Sequence, residues 1–141
     1  MPEITRSIEI IASRNRVWSH IQPQKWPTIF NFVKEVDGYP TAQAGVGTKV
    51  EVVAGKNGEN LVKYNVEIVE LVEKEKIVYR RYGGPLTGTG MMQIQPLQTG
   101  TLLRRTSFYD DPLSEDTLRA LGEGMEKDNL RLKEIIEKIG S

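Results

Sequence analysis

Residues 114–139 read SEDTLRALGEGMEKDNLRLKEIIEKI, and the fold turns on this stretch. Leu118, Leu121, Met125, Leu132, Ile136 and Ile139 recur at three- and four-residue intervals, the spacing of a helix with one buried face. At about 100° per residue, Asn129 falls in the middle of that stripe and Gly122 lies at its edge. Gly124 weakens the same helix again. A helix covering a solid core would carry Leu or Ala at these places, because Gly costs ~1 kcal/mol against Ala. Missing side-chain volume and one amide on a buried face predict a helix that roofs a cavity, with Gly122, Met125 and Asn129 looking into it.

Upstream of this helix the chain alternates in the manner of strands. Ile4 to Ala12 places Ile8, Ile10 and Ala12 on one face. Ser13 caps a short helix whose buried side is Val17, Trp18 and Ile21 and which ends at Pro23. A second short helix is expected from about Gln24 to Phe32, with Pro27 in its first turn. Six alternating segments follow after the turn residues begin: roughly 34–39, 47–54, 60–71, 76–82, 87–96 and 101–110. One strand, two short helices, six strands and a long helix make an antiparallel α+β domain, read as a single unit over residues 1–141.

Short loops let the register be argued. A loop at Leu97-Gln98-Thr99-Gly100 sets Pro96 opposite Thr101, Met92 opposite Arg105 and Gly90 opposite Ser107. A turn at Gly83 to Leu86 pairs Ile77 with Met92, Tyr79 with Gly90 and Arg81 with Gly88. A four-residue turn from Val72 to Glu75 pairs Ile68 with Tyr79 and Val66 with Arg81. Directly opposed residues share a face. One inward wall therefore holds Tyr64, Val66, Ile68, Ile77, Tyr79, Arg81, Met92, Ile94, Leu103, Arg105, Ser107 and Tyr109.

Bulk composition narrows the function. Nineteen basic and nineteen acidic residues in 141 leave no net charge, which gives no global attraction to nucleic acid or anionic membrane. No apolar segment approaches the ~20 residues of a membrane span, and the N-terminus carries no signal-peptide pattern. There is no cysteine, and His20 is the single histidine, so thiolate or His-based metal sites and a Cys-His dyad are not expected. Gly88-Thr89-Gly90 lacks the lysine and helix of a phosphate loop and instead leaves space for Tyr79 and Arg81 or lets the sheet bend. A cytoplasmic protein without metal or cofactor, monomeric or a weak homodimer, is the expectation.

The stretches SIEIIASRNRVWSHI, KWPTIFNFVKEV, GVGTKVEV, YNVEIVELVEKEKIVYRRYGG, MQIQPLQTGTLLRRTSFYDDPL and DNLRLKEIIEKI resemble the START-like (SRPBCC, Bet v 1-like) superfamily over nearly the whole chain. More narrowly they are similar to its polyketide cyclase/dehydrase and lipid-transport branch, through Trp26-Pro27, Val46-Gly47-Thr48 and Gly100-Thr101. The resemblance implies a helix-grip fold: a bent seven-stranded antiparallel sheet around a long C-terminal helix, with two short helices after the first strand. It implies an internal cavity for apolar ligands, and places Trp26 and Phe30 by its entrance. It also implies that an arginine at position 105 is a departure, since relatives often carry apolar or aromatic residues there.

Each arginine doublet, Arg80-Arg81 and Arg104-Arg105, must send one guanidinium inward. An unpaired buried guanidinium costs several kcal/mol, so a partner is required. One reading is a ligand carboxylate, phosphate or enolate held by Arg81 and Arg105 with help from the Tyr79 and Tyr109 hydroxyls. The other is solvent at the cavity mouth, or pairing with Glu70, Asp110 or Asp128. Asn129 serves either a ligand or Arg105, Ser107 or a backbone carbonyl.

Three functions follow. The first is a carrier of a mostly apolar or amphipathic small molecule with a polar or anionic end, lined by Tyr64, Tyr79, Arg81, Met92, Arg105, Ser107, Tyr109, Trp26, Phe30, Gly122, Met125 and Asn129. The second is an aromatase/cyclase-like enzyme using the same cavity, disfavoured because no carboxylate is expected on the inward wall, and no catalytic residue is assigned. The third is a chaperone-associated interaction domain, which predicts a filled cavity and an exposed apolar patch.

Overall fold

A computed structural model describes residues 2–38, 45–56 and 59–139. In chain order the elements are β1 (Glu3–Ile10), α1 (Arg14–His20), a 3-10 turn (Pro23–Lys25), α2 (Trp26–Ile29), β2 (Val33–Asp37), β3 (Lys49–Lys56), β4 (Glu59–Val72), β5 (Lys76–Tyr82), β6 (Gly88–Leu97), β7 (Gly100–Tyr109) and α3 (Glu115–Ile139). The seven strands form one antiparallel sheet in the order β1-β7-β6-β5-β4-β3-β2. Only the first strand is displaced from chain order, because α1 and α2 carry the chain from the β7 edge to the far edge before the meander begins. This is the helix-grip arrangement.

Local chemistry sets the element ends. Ser13 Oγ accepts from the Arg16 amide and caps α1. The second helix is shorter than the sequence suggests: a 3-10 turn and one α-turn replace a helix from Gln24 to Phe32. Phe30 already has extended backbone, and Phe32 is 44% exposed. The expected strand end at Tyr39 and the turn at Pro40 lie outside the described residues, as does the Ile139 side chain.

The expected pairings Pro96–Thr101, Met92–Arg105, Gly90–Ser107, Ile77–Met92, Tyr79–Gly90, Arg81–Gly88 and Ile68–Tyr79 are all present. One loop differs. The β4–β5 connection is Glu73-Lys74-Glu75, closed by Val72 opposite Lys76, with Lys74 at φ 61°. That turn alone would shift the strand by one residue and turn every side chain to the other face. A β-bulge between Ile68 and Glu70 restores the register, so the inward wall keeps the expected residues.

α3 packs against β1 and is clamped there at its C-terminal half. Glu137 accepts from the Ile11 amide at 2.7 Å, and Lys133 donates to the Glu9 carbonyl at 2.9 Å. Leu132 and Ile136 enter a solid core with Ile10, Val17, Ile21, Met92 and Leu103. The N-terminal half meets only a small cluster, where Met125 packs with Ile4 and Tyr109. Core volume therefore runs out along α3. No helix among the described residues is long and apolar enough to cross a membrane.

Candidate functional site

Where the core stops, a cavity of about 630 Å³ opens between α3 and the sheet. Its inner boundary can be followed strand by strand. On β4 Val66 is core and Tyr64 lines the cavity; on β5 Ile77 is core and Tyr79 lines; on β7 Leu103 is core and Arg105 lines. On α3 Leu132 is core, and Asp128, Met125 and Gly124 line. The closed end therefore lies at the level of Arg105 and Asp128. The mouth is formed by exposed residues: Phe32, Val62, Pro85, Leu86 and the first turns of α3. A volume of this size suits a small organic ligand.

Six aromatic side chains line the wall: Trp26, Phe30, Phe32, Tyr64, Tyr79 and Tyr109. Trp26 stacks at a tilt on Phe30 (5.7 Å between centroids) and on Tyr79 (5.0 Å). Two glycines make this possible. A side chain at Gly90 would overlap the Tyr79 ring, which lies flat across β6. A side chain at Gly88 would meet Arg81 Nη2 at 2.9 Å and overlap the Phe108 carbonyl. Over Gly88, Arg81 crosses to β7, donates to Phe108 O at 3.0 Å and sits 5.1 Å from the Tyr109 ring centre. No hydrogen bond fixes the hydroxyls of Tyr64, Tyr79 or Tyr109 among the described residues. Burial, then the neighbouring Tyr79, pushes the Tyr64 hydroxyl up to about 12, so it stays a neutral donor at ordinary pH.

Arg105 is the sharpest feature. It is 8% exposed, lies 4.3 Å from the centre of the Phe30 ring and donates from Nη1 to Asn129 Oδ1 at 3.1 Å. Its Nε–H is buried without a partner. Burial lowers its pKa, partly opposed by Tyr79 and Asp128. Among the described residues no carboxylate pairs with it directly. Of the three acids considered as partners for the inward arginines, Glu70 pairs with Lys76, Asp110 with the outward Arg80, and Asp128 holds Asn31. A guanidinium left with a neutral amide, a ring face and an unsatisfied N–H is unusual, since buried polar groups are nearly always satisfied.

Nine of the expected lining residues meet in this cavity: Trp26, Phe30, Tyr64, Tyr79, Arg81, Arg105, Ser107, Tyr109 and Met125. Three stand outside it. Met92 is 1% exposed inside the solid core, because its strand position lies on the core side of the boundary. Asn129 is 2% exposed and spends its oxygen on Arg105, supporting the wall from behind. Gly122 faces β1: a Cβ there would sit 2.5 Å from Arg6 Nη2, whose Nε pairs with Glu126. The glycine that lines the cavity is Gly124.

Asp128 is the cavity residue that sequence reasoning weighed only as a partner for the arginines. It is 7% exposed and lines the closed end. Its Oδ1 accepts from both the amide and Nδ2 of Asn31, each at 3.0 Å, while Asn31 Oδ1 accepts from Arg131 at 2.7 Å. Burial raises its pKa, opposed by the Asn31 hydrogen bonds and Arg105. This acid stands on α3 and not on the sheet wall, to which the expectation of no inward carboxylate applied. Spacing carried the signal, since Met125, Asp128 and Leu132 fall on one helix face. Among the described residues no group of three or more His, Cys, Asp or Glu side chains could hold a metal.

The two roof glycines differ in consequence. Gly124→Ala places its Cβ 3.6 Å from Phe32, an ordinary contact, and gains helix propensity. It is expected to raise unfolding free energy by about 1 kcal/mol. Gly122→Ala gains the same propensity but pushes Arg6 aside, so its net change should be smaller. Urea denaturation of both variants measures the difference.

A family model described as polyketide cyclase/dehydrase and lipid transport matches residues 1–137. The chain belongs to that family. No curated protein matches the sequence. Protein NE0264 from Nitrosomonas europaea superposes with a TM-score of 0.77 at 15% identity, covering 98% of this chain and 96% of that one. The Aha1 dimer from Colwellia psychrerythraea gives 0.72 at 15%, covering 97% of each chain. Ara h 8.0201 gives 0.73 at 11%, covering 96% of this chain and 97% of that one. These likenesses establish the shared START-like, Bet v 1-like helix-grip fold.

Proposed function

We propose that this member of the polyketide cyclase/dehydrase and lipid transport family is a cytoplasmic carrier of a mostly apolar small molecule whose polar, oxygen-bearing end seats against Arg105. The observation that carries the reading is a buried guanidinium on the cavity wall, Arg105, whose Nη2 is open to the cavity and has no partner among the described residues. A hydrogen bond from this charged group to a ligand oxygen is worth about 1.5–3 kcal/mol. The aromatic wall supplies apolar contact area, and Arg81 with the tyrosine hydroxyls supplies donors nearer the mouth. The whole chain acts as one ligand-binding domain, monomeric or weakly dimeric, without metal or cofactor.

Asp128 favours a second reading, a cyclase-like enzyme on the same cavity, because it supplies the inward carboxylate that acid–base chemistry needs. The open cavity disfavours an interaction domain, for which a filled interior is expected.

Native mass spectrometry of the protein made in its source organism tests the carrier reading. A co-purifying apolar molecule with an oxygen-bearing end is the expected result. Repeated isolation without one, together with no thermal shift from lipids, quinones or polyketides, overturns it.

A further inference from the structure

An anion seated on Arg105 would leave a second buried charge unanswered. Asp128 lines the same closed end, is more than nine-tenths buried and makes no direct ion pair with Arg105. Both hydrogen bonds that it accepts go to Oδ1, and Oδ2 has no donor among the described residues. Arg105 Nε–H is enclosed, but its Nη2 is open to the cavity and has no acceptor among the described residues. The closed end thus presents one unused donor on a cation and one unused acceptor on an anion, each fixed from behind by a neutral amide: Asn129 for the arginine and Asn31 for the aspartate.

Ligand end groups answer this pair differently. A bare carboxylate satisfies Arg105 but brings a second negative charge beside Asp128, and two carboxylates sharing a site disfavour joint ionisation. An ester or ketone offers an acceptor alone and leaves Asp128 unmatched. A carboxamide, or a hydroxyl next to a carbonyl, offers an acceptor and a donor on neighbouring atoms and carries no charge. A site built to hydrogen-bond a substrate N–H or O–H discriminates strongly against analogues that lack it, because the buried partner is then left unpaired.

We propose that Asp128 is a specificity-determining residue, and that the cavity selects an apolar molecule ending in a neutral donor–acceptor group, of the carboxamide or hydroxy-carbonyl class. The inference rests on the carrier reading and narrows its polar end.

The test uses the full-length protein and three matched probes, 2-naphthamide, 2-naphthoate and methyl 2-naphthoate, with dissociation constants from isothermal titration calorimetry. On the unmodified protein the amide should bind about tenfold tighter than either analogue. Asp128→Asn, which keeps the shape and an oxygen for Asn31, should reduce that preference to about twofold or less. Tighter binding of naphthoate than of naphthamide overturns the inference and leaves the carrier reading standing. So does an amide preference that Asp128→Asn leaves untouched. The comparison on the unmodified protein decides the matter even if the variant folds poorly. Binding by none of the three overturns this inference. If broad ligand extraction also yields nothing, the carrier reading falls with it.

Discussion

Arg105→Met combined with Asn129→Leu is expected to raise the unfolding free energy by about 1–4 kcal/mol while weakening ligand binding at least tenfold. The buried guanidinium has one hydrogen bond to a neutral amide, the Phe30 ring face and an unsatisfied Nε–H. Its desolvation is poorly repaid. A cation–π contact of this kind is worth about 1–2 kcal/mol, below the several kcal/mol that burying an ion costs. The two substituted apolar side chains would extend the core already formed by Met92 and Leu132. The single change Arg105→Met should be close to neutral, because it strands the Asn129 amide, itself a loss of about 1–3 kcal/mol. Urea denaturation and probe titration on the unmodified protein, the single variant and the double variant separate the two roles. If the double variant is strongly destabilised, the arginine is a structural element of the wall. If stability rises and affinity is unchanged, it is no ligand anchor.

Gly88→Ala should cost about 3 kcal/mol or more, and Gly90→Ala about 1–3 kcal/mol. At Gly88 the new Cβ overlaps the Phe108 carbonyl, a backbone atom held in the β6–β7 ladder, so relief means breaking strand pairing. For a chain of 141 residues this corresponds to a fall in Tm of roughly 10 °C. At Gly90 the obstacle is the Tyr79 ring, a side chain that can swing away. It would then leave Trp26 and fill part of the cavity, so Gly90→Ala should lose more affinity per unit of stability than Gly88→Ala. Calorimetric melting and titration with a bound probe check the order. Full tolerance of Gly88→Ala would contradict the register on which the site rests.

That register was legible because it is local. Hairpin loops of a few residues leave little freedom, and alternation of apolar and polar residues states which side faces in. The β4–β5 connection shows the limit. Its loop is one residue shorter than expected, and a bulge near Val69 compensates. Burial of Val66 and Ile68 demands the inward face whatever the turn does, so the apolar pattern overrode the turn.

The cavity was legible only in outline. An interrupted stripe on α3 announced missing volume, but the responsible glycine is Gly124, and Gly122 instead clears a path for Arg6 from β1. Met92 reads as a wall residue by register yet is core. Asp128 reads only as a partner for an inward arginine, yet it is buried against Asn31, 97 positions away in the chain. For the inward arginines, sequence offered ligand or internal partner as alternatives, and packing supplied neither in full for Arg105.

Sequence alone therefore determined how the last four strands pair, the face their side chains take and the presence of two inward arginines, since period-2 alternation and short loops settle these within neighbouring strands. Tertiary structure decided how far the core fills the sheet, and with it which inward residues are wall and which are filling. That depends on where α3 comes to rest along the sheet, through contacts such as Glu137 with Ile11 and Asp128 with Asn31, made between residues 126 and 97 positions apart.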